Sequence, residues 1–247
     1  MSIFDTMNQN APADINEESD SLGGFSPLET ALYGLTIDLA FVTMAQSKAM
    51  CLNVHFSTDN KQGLRQQFYV TSGEAKGCKN FYQNAKGEKF FLPGFNQANA
   101  LCLLTLGKPL GEMVTEVKTI NLYDHTVGKE VPTNVEMITA LIGQKVIGGV
   151  IKQIEDKNKK NDETGEYEAT GETRTVNEVD KFFRERDGMT VPEIKAQAIE
   201  SVFKQSWADK WTGQVKDKSS GVTAPAGGST GATNGSPAAP KASTLFA

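Results

Sequence analysis

The sequence is poor in the residues on which most enzyme chemistry depends. Among its 247 residues are two histidines and three cysteines. His55 and His125 are far apart and lack neighbouring Cys or carboxylate spacing, so no zinc site is expected. Cys51, Cys78 and Cys102 are odd in number and form no C-x-x-C pair. That excludes a disulfide framework and suits a reducing compartment. No G-x-S-x-G or H-E-x-x-H string occurs. Gly73-Glu74-Ala75-Lys76-Gly77-Cys78-Lys79 is short of a phosphate loop, because Lys79 is followed by Asn80 rather than Ser or Thr. No apolar run approaches the ~18 residues of a membrane helix, and no basic stretch followed by an apolar one opens the chain. These absences predict a non-catalytic protein of the cytoplasm, without cofactor, metal or membrane.

Large apolar side chains are also scarce at both ends. Residues 1–27 carry the acidic run Asp14, Glu17, Glu18 and Asp20, and residues 213–247 are mostly Gly, Ser, Thr, Ala, Pro and Lys. Such segments bury too little apolar surface to offset chain entropy, so two disordered tails are expected around one folded domain at 28–212.

Within that domain the patterning is mostly that of strands. Thr36–Met44, Ala49–Phe56 and Leu64–Thr71 read as an antiparallel meander, with Met50, Leu52, Val54 and Phe56 on one face and Asn53 and His55 on the polar one. A hairpin is expected around Phe81-Tyr82 and Phe90-Phe91, then a helix capped by Asn96 and ended by Gly107. A strand near Val117–Tyr123 follows. The Thr133/Glu136 spacing with Val135, Ile138, Leu141 and Ile142 predicts a second helix. Lys145–Ile154 reads as a strand bent at Gly148-Gly149. A charged loop at 155–166 leads to a last strand, Tyr167–Val176. Thr190 and Glu193 start a final helix with Ile199, Val202, Phe203 and Trp207 on one face. Three meander strands, a helix, then further strands is the order of an oligonucleotide-binding (OB) β-barrel, here with two to three accessory helices.

The net charge of −5 hides an uneven distribution. Between Gln46 and Phe95 seven basic residues (Lys48, Lys61, Arg65, Lys76, Lys79, Lys86, Lys89) face three acids (Asp59, Glu74, Glu88), a local +4. Phe68, Tyr69, Phe81, Tyr82, Phe90, Phe91 and Phe95 are interleaved with them. Stacking platforms beside cations are what a single-stranded nucleic acid requires. The candidate contacts are Lys48, Lys61, Arg65, Tyr69, Lys76, Lys79, Tyr82, Lys89 and Phe91. In a barrel about half of such rings point inward. Tyr69 and Tyr82 are assigned outward because a hydroxyl prefers water; alternation leaves Phe90 against Phe91 open. The same rings are core, and the lysines ordinary surface, if the domain binds only protein.

Several strings resemble tailed-phage single-stranded-DNA-binding proteins over roughly residues 30–210. They are Tyr69-Val70-Thr71-Ser72-Gly73 with Lys76-Gly77, Phe91-Leu92-Pro93-Gly94-Phe95 with Ala98-Asn99, Lys129-Glu130-Val131-Pro132-Thr133, and Gly171-Glu172-Thr173-Arg174 with Asn177-Glu178. The resemblance implies an OB-type fold that coats single-stranded DNA, self-association on the strand, and work in phage replication, recombination and repair in the host cytoplasm. A recombination mediator that anneals strands is the alternative. Proteins of this kind often end in an acidic tail with an aromatic tip that docks replication partners. Here the chain ends Thr244-Leu245-Phe246-Ala247 without acids, so Leu245 and Phe246 alone are the candidate docking tip.

Overall fold

A computed structural model describes residues 26–124, 127–160 and 167–220. The candidate docking tip Leu245-Phe246, His125, nearly all of the N-terminal tail and the second half of the 155–166 segment lie outside the described residues.

The fold is mainly β, with three helices among the described residues. β1 (Ala31–Met44), β2 (Met50–Thr58) and β3 (Gly63–Tyr69) form the antiparallel meander. β4 (Phe81–Gln83) and β5 (Lys89–Phe91) make a separate two-stranded ribbon. Helix α1 (Pro93–Leu106) follows, ended by Gly107 at φ 70°. It starts three residues before the expected Asn96 cap, because Pro93 occupies the first turn, where its missing N–H costs nothing.

β6 (Glu116–Asp124) and β7 (Lys129–Met137) form a hairpin that joins the sheet where Phe41 and Val42 of β1 pair with Met137 and Glu136. The helix expected from Thr133/Glu136 is therefore not formed. Residues 133–137 are strand, and only a single 3-10 turn, Thr139–Leu141, follows. Cross-strand partners on both sides override the local helical spacing.

β8 (Lys145–Lys160) and β9 (Tyr167–Phe183) are long antiparallel arms. Residues 155–160, expected as loop, continue β8. This distal arm carries charge instead of apolar alternation, and so gave no strand signal. The Gly148-Gly149 bend is present as a register shift after Gly149. A side chain at Gly148 would collide with Leu35, and one at Gly149 would lie 2.7 Å from the Trp207 ring.

α2 (Val191–Lys195) opens with the expected Thr190/Glu193 capping box. The expected single helix is interrupted, however, and α3 (Phe203–Trp211) is a separate element. Ile199 falls in the break and is wholly exposed, while Trp207 is buried. β10 (Val215–Asp217) pairs in parallel with β8, so the folded chain runs past residue 212, at least to Ser220. Among the described residues no helix is long and apolar enough to cross a membrane.

The ladder β3-β2-β1-β8-β9 is the strand order of an OB barrel, with α1 between its third and fourth strands. Among the described residues the barrel is not closed by backbone pairing. At the seam between β3 and β9 the side chain of Gln66 accepts a hydrogen bond from Val179 N at 2.9 Å. The interior is packed by Leu35, Ile37, Leu52, Val54, Phe56 and Phe68 with Leu101 and Cys102 of α1. Phe182 sits 5.9 Å from both Phe56 and Phe68. A bulge between Ile37 and Leu39 shifts the phase of β1. Residues 35 and 37 face inward before it. Phe41 lies beyond it in a second cluster, with Val135 and Met137 of β7.

Candidate nucleic-acid interface

The outer face of β2 and β3 is the floor of the site. Phe68 is buried at 1% exposure and Tyr69 is 51% exposed, so alternation turns the tyrosine outward as its hydroxyl suggests. Arg65, Gln67 and Tyr69 recur every second residue along β3, a row of roughly 13 Å at the usual strand rise.

Tyr69 stands where two grooves meet. The first, of about 1060 Å³, is walled by Ser72, Gly73, Lys76, Lys79, Phe81 and Tyr82. The second, of about 740 Å³, runs between the β6–β7 and β8–β9 hairpins over Phe41, Asn53, His55, Arg65 and Gln67. A third depression, about 690 Å³, continues from it past His55, Arg65 and Asn177. Together they form one trough along the face of β3.

The first groove brings four predicted residues together: Tyr69, Lys76, Lys79 and Tyr82. Tyr82 and Phe90, opposite one another in the ribbon, have ring centroids 5.8 Å apart and are each about half exposed. Phe91 is 52% exposed and rests on Phe95 at 4.9 Å. Both Phe90 and Phe91 are accessible because the ribbon has only two strands and no core beneath it. Lys79 and Lys89 flank the Phe81 ring at 5.8 and 5.5 Å. Their ammonium groups are thus held near an aromatic face.

Lys48 and Lys61 are placed differently. Lys48 pairs with Glu74 at 2.7 Å, so its charge is partly spent within the loop. Lys61 sits in the β2–β3 turn, at the opposite end of β3 from Tyr69. Arg65 belongs to the hairpin groove and not to the lysine-lined one.

The hairpin groove contains residues for which the sequence carried no signal. Phe41 meets His55 edge-on at 5.6 Å. Desolvation lowers the His55 pKa and Arg65 acts in the same direction, against Asp38, so the imidazole is neutral at pH 7. His55 is half-buried in the groove wall rather than fully solvated. Asn53 is buried. Its amide donates to Thr43 Oγ1 at 2.8 Å, and its carbonyl accepts from Gln67 Nε2 at 3.0 Å. The alternation of β2 marked Asn53 merely as polar; only the approach of β3, β7 and β8 makes it the floor of a trough.

Among the described residues no group of three or more His, Cys, Asp or Glu side chains is placed to hold a metal ion. All three cysteines are free; Cys51 and Cys102 are buried and Cys78 is exposed. Burial pushes the Cys102 thiol up to about 12, leaving it protonated and unreactive. No protein-family model and no curated protein matches the chain.

Proposed function

We propose that this protein binds single-stranded DNA along the trough over β2 and β3. The observation that carries the reading is Tyr69, a half-exposed ring fixed where the lysine-lined groove and the hairpin groove meet. Bases stack on Tyr69, Tyr82 and Phe91, while Lys76, Lys79 and Lys89 take phosphates. Stacking is indifferent to base identity and strand tracking is electrostatic, so the binding covers many sequences.

Its place, on the resemblance of the sequence to tailed-phage proteins, is the coating of single strands in replication, recombination and repair. The free exposed thiol of Cys78 suits a reducing cytoplasm. Leu245 and Phe246 are the segment we assign to partner proteins.

Fluorescence anisotropy on a labelled oligonucleotide tests the reading. Single strands are expected to bind better than the matching duplex. Log K should fall with log salt by about 0.7 for each phosphate contacted. Lys76→Glu or Lys79→Glu should reduce that slope by about one contact. Equal affinity for duplex, or a response flat in salt, rejects the proposal.

A further inference from the structure

The two grooves differ in chemistry. The lysine-lined groove offers cations; the hairpin groove is rich in hydrogen-bond acceptors. Glu130, Glu155 and Glu178 stand along it with Gln153 and Gln67, and among the described residues Arg65 is the one cation in its lining. Glu155 is held by Arg174 at 2.7 Å and Glu178 by Lys218 at 2.7 Å, so both carboxylates are fixed in place. Gln153 is only 5% exposed, and its side-chain carbonyl oxygen has no hydrogen-bond partner. A buried acceptor left unpaired is destabilising, so a turn of this side chain toward the groove that met a donor from outside would relieve the cost.

With Glu155 and Glu178 already using Arg174 and Lys218 as their counter-charges, this groove has no surplus of cations to take phosphates, whereas the lysine-lined groove has. A strand lying in the trough therefore turns its phosphates away from this groove and its base edges into it. The donors that project furthest from a base are exocyclic amino groups. Cytosine N4 and adenine N6 carry them, and carboxylates and amide oxygens are their natural partners. Thymine and uracil project carbonyl oxygens instead, and their single ring N–H is recessed between two of these.

We infer that the hairpin groove is a base-edge site selective for nucleobases bearing an exocyclic amino group over thymine or uracil, with Gln153 as its buried acceptor. The inference rests on the reading of the trough as a single-strand site. It adds a base preference to a surface whose stacking and phosphate contacts carry none.

The test is anisotropy with the full chain on oligo(dC) and oligo(dU) of equal length, which differ in the C4 amino group and the protonation of N3. Wild-type protein is expected to bind oligo(dC) roughly five- to tenfold more tightly. Gln153→Met, close in shape but without the amide, should bring the two affinities together by weakening oligo(dC) more than oligo(dU). An oligonucleotide of 2-pyrimidinone, which is cytosine without its amino group, should bind wild-type protein as weakly as oligo(dU) does. This measurement needs no folded variant. Equal wild-type affinity for oligo(dC) and oligo(dU), or 2-pyrimidinone binding as tightly as cytosine, overturns the base-edge site while single-strand binding stands. Failure to bind any of the three strands rejects the single-strand reading itself.

Discussion

The backbone of Gly94, in the first turn of α1, lies directly against the backbone of Tyr69. A Cβ at position 94 would press on the Tyr69 carbonyl oxygen and lie 2.8 Å from Tyr69 N. The helix that seals the barrel and the strand end that presents the ring are thus held together by the absence of one methyl group. Gly94→Ala must push one away from the other. It is expected to lower stability by about 1–3 kcal/mol, as overpacking does, and to weaken single-strand binding in the protein that remains folded. Urea unfolding and anisotropy measure the two effects. An alanine variant as stable as wild type would show that α1 does not sit this close.

Phe68 and Tyr69 are neighbours with opposite roles. Phe68→Ala removes a ring from the core beside Phe182. It should cost about 3–5 kcal/mol of stability. Tyr69→Ala removes a ring that is half in solvent. It should leave the melting temperature nearly unchanged and weaken single-strand binding by roughly 1–3 kcal/mol. A Tyr69→Ala protein that melts early yet binds with unchanged affinity per folded molecule would make the ring structural.

The meander was legible because Leu52, Val54 and Phe56 alternate with polar residues, and a one-sided buried strand can hardly be written otherwise. The Thr190/Glu193 box was legible because capping is a local event. β7 was not. Val135, Ile138 and Leu141 fall at helical spacing, but Val135 and Ile138 are buried against different clusters and Leu141 lies in a turn. The aromatic and basic residues of the first groove were legible as types crowded into one segment. The hairpin groove was not, since its amides and carboxylates come from strands over a hundred residues apart, each of which reads by itself as solvated surface.

Glu193 ties the start of α3 to the start of α2 across the break between them. Its carboxylate accepts hydrogen bonds from Thr190 N and Oγ1, Val202 N and Phe203 N at 2.8–2.9 Å. Desolvation acts to raise its pKa, but these bonds together outweigh it and carry the group from 4.5 down to about 2. A folded pKa below the unfolded one means the stabilisation is complete above about pH 4.5 and is lost as pH falls toward 2. Protection of the Val202 and Phe203 amides, taken relative to the intrinsic exchange rate at each pH, should therefore fall through that window ahead of the core strands. In Glu193→Gln that protection should already be reduced at neutral pH and show little further change on acidification. Amides as protected in the variant as in wild type would remove Glu193 from this role.

Two truncations separate the end of the fold from the tail. Deleting 221–247 removes the Gly-, Ala- and Ser-rich stretch with Leu245 and Phe246, and is expected to leave both the melting temperature and single-strand affinity unchanged. A replication partner that docks on the tip would be lost at this step. Deleting 214–247 goes further and removes β10. The ladder to Lys152–Ile154 is then broken, as are the Lys218–Glu178 ion pair and the hydrogen bonds of Ser220 N and Oγ to Asp156. With about 1–2 kcal/mol lost, the melting temperature should fall by roughly 3–6 °C. Glu178 lines the hairpin groove. Without Lys218 its charge is left uncompensated beside the strand, so affinity for single-stranded DNA should drop and its salt dependence should change, in the longer deletion only. Differential scanning fluorimetry and anisotropy on the same two proteins decide the matter. If the two deletions melt together at the wild-type temperature, β10 contributes nothing to the domain, and if the shorter one already melts early, the fold extends beyond Ser220.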